Sequence, residues 1–129
     1  MTFDELGEAK YIAFETFKKS GEGVNTPLWV VGKEGKLFAR TDRNSWKVKR
    51  LRNNKRIRVA KSDRQGKPEG EWFEGKARLL ENPSAQEDIA KRLAAKYGFQ
   101  YRLINFLNRL RRAQTNPVII EMTESSVDA

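Results

Sequence analysis

The sequence predicts a mainly β, α+β fold, an antiparallel barrel of six strands with helices packed against its outside. Three observations carry this. Six runs of strand length, apolar or alternating, follow one another mostly in hairpin order with turn residues between them. The first run is apolar on both faces, as in a strand covered on two sides. The remaining stretches have helical spacing. At 129 residues, with 33% charged and 38% hydrophobic residues, the chain reads as one domain over 1–129 with an ordinary core.

Thr2 and Glu5 have the spacing of a capping box, which predicts a short helix ending near Gly7. Lys10 to Lys18 is the first strand, with Tyr11, Ala13 and Phe17 on one face and Ile12, Phe14 and Thr16 on the other. Ser20 to Gly23 is a hairpin turn. The second strand, Val24 to Gly32, contains Pro27, which donates no ladder hydrogen bond and so marks an edge, a bulge or a site. Leu37 to Thr41 is the third strand. A polar turn follows, then a basic helix from Ser45 to Asn53, broken at Asn53-Asn54. Arg56 to Ala60 alternates as a fourth strand. Gln65 to Gly70 is a loop, and Trp72 to Glu81 a fifth strand with Gly75 at a bulge or close approach. A second capping box at Ser84–Glu87 opens a helix that buries Ile89, Leu93 and Tyr97 and ends at Gly98. Gln100 to Arg112 is helical again, with Arg109 and Arg112 outward, and Pro117 to Met122 is the sixth strand before a frayed tail.

Composition removes whole classes of chemistry. The chain has no His and no Cys. Cys nucleophiles, His bases, the usual zinc sites and His or Cys ligation of haem are therefore absent. No metal ligands and no catalytic acid–base side chains are expected. If the protein is an enzyme, an organic cofactor carries its chemistry. No apolar run approaches the ~20 residues that cross a bilayer, and the acidic N-terminus lacks a signal-peptide core. A cytoplasmic protein without a membrane partner is the expectation.

The net charge of +9 is confined to one stretch. Arg40 to Arg64 holds eleven basic residues against Asp42 and Asp63, and elsewhere the two signs cancel. Such concentration points to an anionic partner. The basic helix offers a specific place for one, because a helix N-terminus has unpaired N–H groups and a positive dipole end. Thr41, Ser45 and Lys47 would surround that spot. The plainer reading is a solvated basic face.

Several segments in order resemble a known family. They are Thr16 to Gly21, Thr26-Pro27-Leu28-Trp29, Thr41 with Ser45-Trp46-Lys47-Val48-Lys49-Arg50-Leu51, Glu74 to Arg78, and Lys96 to Leu103. The chain resembles the flavin/deazaflavin oxidoreductases of the pyridoxamine-phosphate-oxidase-like split-barrel superfamily, and more narrowly the PPOX-class F420-dependent oxidoreductases. The resemblance implies a split barrel that forms a homodimer, with the cofactor in a groove between subunits. It implies that Asn25, Thr26, Pro27, Leu28 and Trp29 line the cofactor ring. Arg40, Thr41, Ser45, Trp46, Lys47 and Arg50 would form the phosphate clamp. Trp46 stands where FMN oxidases usually carry arginine, and Asn25 and Val30 replace their flanking Arg and Lys. That pattern favours coenzyme F420 over FMN, the alternative cofactor. A phosphodiester with a polyglutamate tail also needs a longer cationic track, which Arg43, Lys47, Lys49, Arg50, Lys55 and Arg56 would supply. The implied activity is hydride transfer to or from a planar, conjugated small molecule.

Other readings compete. The same fold can carry a cofactor without turnover. A pI near 10.0 with aromatics nearby suits a nucleic-acid binder, although no helix-turn-helix, KH, RRM or OB pattern can be placed. Trp29 and Trp72 are core or interface residues on the plain reading, and the family resemblance moves Trp29 toward the ring. Lys76 and Arg78 read as outward-facing strand residues.

Overall fold

A computed structural model describes residues 1–103 and 117–125. A 3-10 helix, Asp4–Glu8, precedes β1 (Tyr11–Phe17), β2 (Gly23–Leu28), β3 (Val31–Lys33) and β4 (Lys36–Asp42). Then come α1 (Trp46–Asn53), β5 (Arg56–Ser62), β6 (Phe73–Leu80), α2 (Pro83–Tyr97) and β7 (Pro117–Glu124). No described helix is long and apolar enough to cross a membrane.

All seven strands form one antiparallel sheet in the order β2-β1-β5-β6-β7-β4-β3. β2 and β3 stand at opposite ends of that order, yet only Trp29 and Val30 separate them in the chain. A residue spans at most ~3.6 Å, so Leu28 and Val31 lie within roughly 11 Å of each other. The two ends of the sheet must curl together, and the barrel closes.

Among the described residues the sheet has seven strands rather than the expected six. The run from Val24 to Gly32 is two strands because its pairing changes partner: Pro27 lies opposite Ala13 of β1, whereas Val31 lies opposite Phe38 of β4. Pro27 sits on an edge strand, where its missing N–H breaks no ladder.

The backbone freed by this change of partner is met from α2. Val30 N–H donates to Tyr97 Oη at 2.9 Å, and the Tyr97 oxygen lies 2.7 Å from Lys10 O and 3.2 Å from Val30 O. Lys96 Nζ donates to the carbonyls of Gly7 (2.8 Å), Ala9 (2.6 Å) and Val30 (2.5 Å). Burial pushes the Lys96 ammonium down to about 8, against the pull of Glu8. Burial pushes the Tyr97 phenol up to about 12, with the Val30 N–H opposing it.

Inside the barrel, Ile12, Phe14, Leu37, Ile57, Val59, Ile120 and Met122 form the core, closed by Phe3 at the N-cap of the 3-10 helix, Leu6 within it and Leu51 of α1. Outside it, α2 lays Ile89, Leu93 and Tyr97 on Val31, Phe38 and Ile119. β1 is accordingly buried on both faces. A Cβ on Gly75 would lie 2.7 Å from Thr123 O, so the close approach expected there is between β6 and β7.

The first capping box forms reciprocally, with Thr2 N–H on Glu5 Oε1 (3.2 Å) and Glu5 N–H on Thr2 Oγ1 (3.3 Å). The second does not. α2 begins at Pro83 after the N-cap Asn82, so Ser84 already lies inside the helix and accepts from Asn82 Nδ2 instead. The tail expected to fray from Thr123 is paired through Glu124, opposite Lys76 and Gly75. Residues 99–103 are helical, and the rest of the expected helix, with Arg109 and Arg112, lies outside the described residues.

Candidate cofactor site

The corner between β4 and α1 is built by Asp42. Its carboxylate accepts the Asn44 N–H at 2.8 Å, and its carbonyl accepts the Ser45 N–H at 3.1 Å. This turn places Ser45 at the N-cap of α1 in extended backbone geometry, φ −69° and ψ 156°. A serine there ordinarily accepts from an N–H in the first helical turn. Ser45 makes no such bond, and its Oγ is buried without any hydrogen-bond partner among the described residues. Leaving a buried hydroxyl unpaired costs about 1–3 kcal/mol. An anionic oxygen at the positive end of α1 would satisfy it.

Two cations flank the corner. Burial pushes Lys47 below its ordinary value, the neighbouring Arg50 adds to the effect, and Asp42 partly offsets it. Burial likewise lowers Arg50. Arg50 Nε donates to Thr16 Oγ1 at 2.6 Å, and buried Thr16 lies opposite Val24 in the β1–β2 ladder. α1 is thus tied to the barrel wall beside Asn25. Among the described residues, neither Lys47 nor Arg50 has a carboxylate within ion-pair distance. Trp46 is 71% exposed, and Lys49 Nζ stands 4.4 Å above its ring centroid.

The longer cationic track is interrupted. Arg43 and Arg52 share Glu81, at 3.1 and 3.6 Å. Arg56 makes two bonds to Glu74, at 3.1 and 2.8 Å, and lies over Phe17. Nearby carboxylates thereby neutralise two of the six expected members, Arg43 and Arg56.

The expected ring-lining residues divide between two places. Asn25 Nδ2 donates to Gly66 O at 2.7 Å, and a Cβ on Gly66 would meet Pro27 Cδ at 3.1 Å. The loop of Asp63 to Lys67, held by the Asp63 carboxylate on two backbone N–H groups at 2.9 Å, therefore covers the outer edge of β2. Thr26 is half-buried and Leu28 buried. Trp29 leaves this group. It stacks on Tyr97 with centroids 4.5 Å apart and planes 7° apart, and Tyr101 lies tilted at 6.1 Å. Arg40 Nη1 donates to Tyr101 Oη at 3.1 Å, so Arg40 belongs to the same cluster under α2.

The structure gathers Thr41, Ser45, Trp46, Lys47 and Arg50 at one corner, and Arg50 links α1 to Thr16 of β1, the strand that pairs with β2. Trp29 and Arg40 serve the barrel seam. The bonds of Lys96 to the Gly7, Ala9 and Val30 carbonyls were not legible in the sequence, where its position in α2 looks like that of any solvated lysine. The role of Asp42 was legible in Asp42-Arg43-Asn44, a sequence that favours turns closed by a carboxylate.

No family model matches the sequence, and no curated protein does. Solved structures do. A protein provisionally assigned as a pyridoxamine 5′-phosphate oxidase, from Listeria innocua, superposes with a TM-score of 0.64 at 13% identity, covering 94% of this chain and 88% of its own. The haem storage protein HutZ from Vibrio cholerae gives 0.69 at 12%, covering 94% and 85%. An F420 reductase gives 0.62 at 13%, covering 98% and 95%. At such identities the likeness is one of architecture, and it agrees with the closed sheet and flanking helices described above. The chain has the pyridoxamine-phosphate-oxidase-like split-barrel fold.

Proposed function

We propose that this protein is an F420-dependent oxidoreductase, holding the deazaflavin cofactor at the β4–α1 corner in the groove of a homodimer. The observation that carries the proposal is the orphaned Ser45 hydroxyl, buried at a helix N-terminus beside Lys47. Ser45 would donate to a phosphate oxygen, Lys47 would neutralise its charge, and Thr41 would border the same spot. Arg50 positions α1 through Thr16. Asn25 to Leu28 form the wall nearest this corner along the ladder, and exposed Trp46 with Lys49 offers a flat cationic surface next to it. When bound, the deazaflavin supplies hydride transfer to or from a planar conjugated molecule, and the chain contributes orientation and exclusion of water.

FMN is the second reading, because a phosphate monoester would satisfy Ser45 and Lys47 equally well. Haem, named for one structural neighbour, fits less well, since a chain without His or Cys lacks those axial ligands. Fluorescence titration with F420 and, separately, with FMN tests the proposal. Micromolar or tighter F420 binding with much weaker FMN binding is expected, followed by turnover of reduced cofactor with an electron acceptor. Tight FMN binding would move the protein to the flavin oxidases or reductases. Cofactor binding without turnover would make it a carrier. If neither cofactor binds, the reading fails and the basic stretch serves another anion.

A further inference from the structure

The outer face of the sheet carries a second concentration of positive charge, at the far end of β4 from the cofactor corner. Lys36 opens β4 five residues before Thr41, about 17 Å at ~3.3 Å per residue. Across the sheet, Lys76 lies opposite Thr123 and Arg78 opposite Glu121. Residues directly opposite share a face, so these four side chains project together. With Lys36 and Lys55 they line a cavity of about 360 Å³.

The charges there are unevenly matched. The arginines of β5 and β6 on this face each have a carboxylate: Arg56 holds Glu74 (2.8 Å), Arg58 holds Glu15 (2.5 Å) and Arg78 holds Glu121 (3.1 Å). The lysines do not. Lys36 reaches Glu121 only at 3.8 Å, on an acid that Arg78 already occupies. Lys55 and Lys76 form no ion pair with any described residue, and both are exposed. The surplus is therefore carried by three ammonium groups around one cavity. Such groups are strongly hydrated point charges on flexible stems, suited to an anion of high charge density rather than to a planar carboxylate.

We propose that this cavity is an anion site separate from the cofactor corner, and that it takes a compact polyphosphate. The ligand is either free diphosphate or the terminal diphosphate of a nucleotide. Glu121 sets the selectivity. Its buried carboxylate repels any incoming anion, so a ligand of one charge gains little, whereas a diphosphate can engage all three lysines at once. The neutralised arginines leave no continuous track for a nucleic-acid backbone.

Calorimetric titration of the full chain at low salt, without divalent cations, tests this with inorganic diphosphate, orthophosphate, ADP and a single-stranded oligonucleotide. Saturable diphosphate binding is expected, at least tenfold tighter than orthophosphate. ADP would match diphosphate if its terminal diphosphate suffices, and would exceed it if the nucleoside also touches the protein. The titrations are made on the Lys47→Gln variant, which disables the phosphate site proposed at the cofactor corner, and there the added Lys55→Gln, Lys76→Gln pair should weaken diphosphate binding at least tenfold. All three substitutions are compatible with folding, which circular dichroism would check. The proposal is overturned if diphosphate shows no saturable binding to the Lys47→Gln variant, or if that binding survives the added Lys55→Gln and Lys76→Gln changes. Oligonucleotide binding that outcompetes diphosphate at these lysines would also overturn it. Because Lys47 belongs only to the cofactor corner, failure here and failure of the cofactor reading are distinguishable.

Discussion

Tyr97→Phe removes one oxygen from the place where the barrel closes and leaves the ring in position. The stack on Trp29 at 4.5 Å survives, because Phe keeps the same ring plane. What is lost is the acceptor for Val30 N–H, a bond of 2.9 Å at a residue with 0% exposure. That N–H lies between β2 and β3, outside either ladder, and no water can reach it without opening the seam. An unsatisfied buried donor costs about 1–3 kcal/mol. The second lost bond, to Lys10 O, contributes little, since Lys10 is exposed and water replaces the donor. The expected destabilisation is therefore about 2 kcal/mol. In urea, with a slope on the order of 1–3 kcal/mol per molar for a small protein, the unfolding midpoint should fall by about 1 M. Tyr97→Leu should fall further, by the ~0.5–1.5 kcal/mol that an aromatic pair adds. Hydrogen exchange should locate the first loss of protection at residues 28–33. A midpoint for Tyr97→Phe within about 0.2 M of the parent would refute the argument, because Val30 N–H would then have another partner.

Lys47→Ala should keep the fold and weaken F420 binding by about 1.5–3 kcal/mol, the contribution of a charged hydrogen bond, read as the change in dissociation constant by fluorescence. An anion beside Lys47 raises its lowered pKa, so binding takes up a proton at alkaline pH. Cofactor affinity should then fall as pH rises through the free-protein value, and the Lys47→Ala variant should lose that dependence. For Lys96, the folded value of about 8 lies below the ordinary 10.5. Between these the unfolded chain binds more protons, so this group makes stability rise with pH across that window. Thermal melts of Lys96→Met should lack that rise. Gly66→Ala forces a Cβ onto a residue at φ +88° and to 3.1 Å from Pro27, and should cost about 1–2 kcal/mol by denaturant unfolding.

The parts of the fold that follow local rules were legible in the sequence. The two-sided apolar pattern of β1 and the apolar face of α2 reflect short-range spacing and appear where expected, and the turn expected at Ser20 to Gly23 closes slightly earlier, between Lys18 and Glu22. The split of Val24 to Gly32 was not legible, because a change of ladder partner depends on where distant strands lie. Pro27 indicated an edge but could not indicate that β3 joins the opposite one. At the site, Ser45 and Lys47 could be read from their place at a helix start. The neutralisation of Arg43 by Glu81 and of Arg56 by Glu74 could not, since those acids lie far along the chain. The placement of Trp29 against Tyr97 was hidden for the same reason.

The two-residue link between β2 and β3 also bears on how this protein behaves at high concentration. An open sheet of seven strands would present two rows of unpaired N–H and C=O groups, each able to recruit a strand from another molecule. Here each terminal strand is tethered to the other and has its own obstruction. On β2, Pro27 offers no N–H and the Gly66 loop lies against it. On β3, only three residues long, Gly32 approaches Gly7 of the 3-10 helix so closely that a Cβ on Gly7 would sit 2.8 Å from its Cα. Intermolecular β-pairing would have to displace both covers before a first hydrogen bond could form. Substitutions that bulk up Gly7 or free the Gly66 loop should therefore show their damage as fibrillar aggregation before any loss of secondary structure.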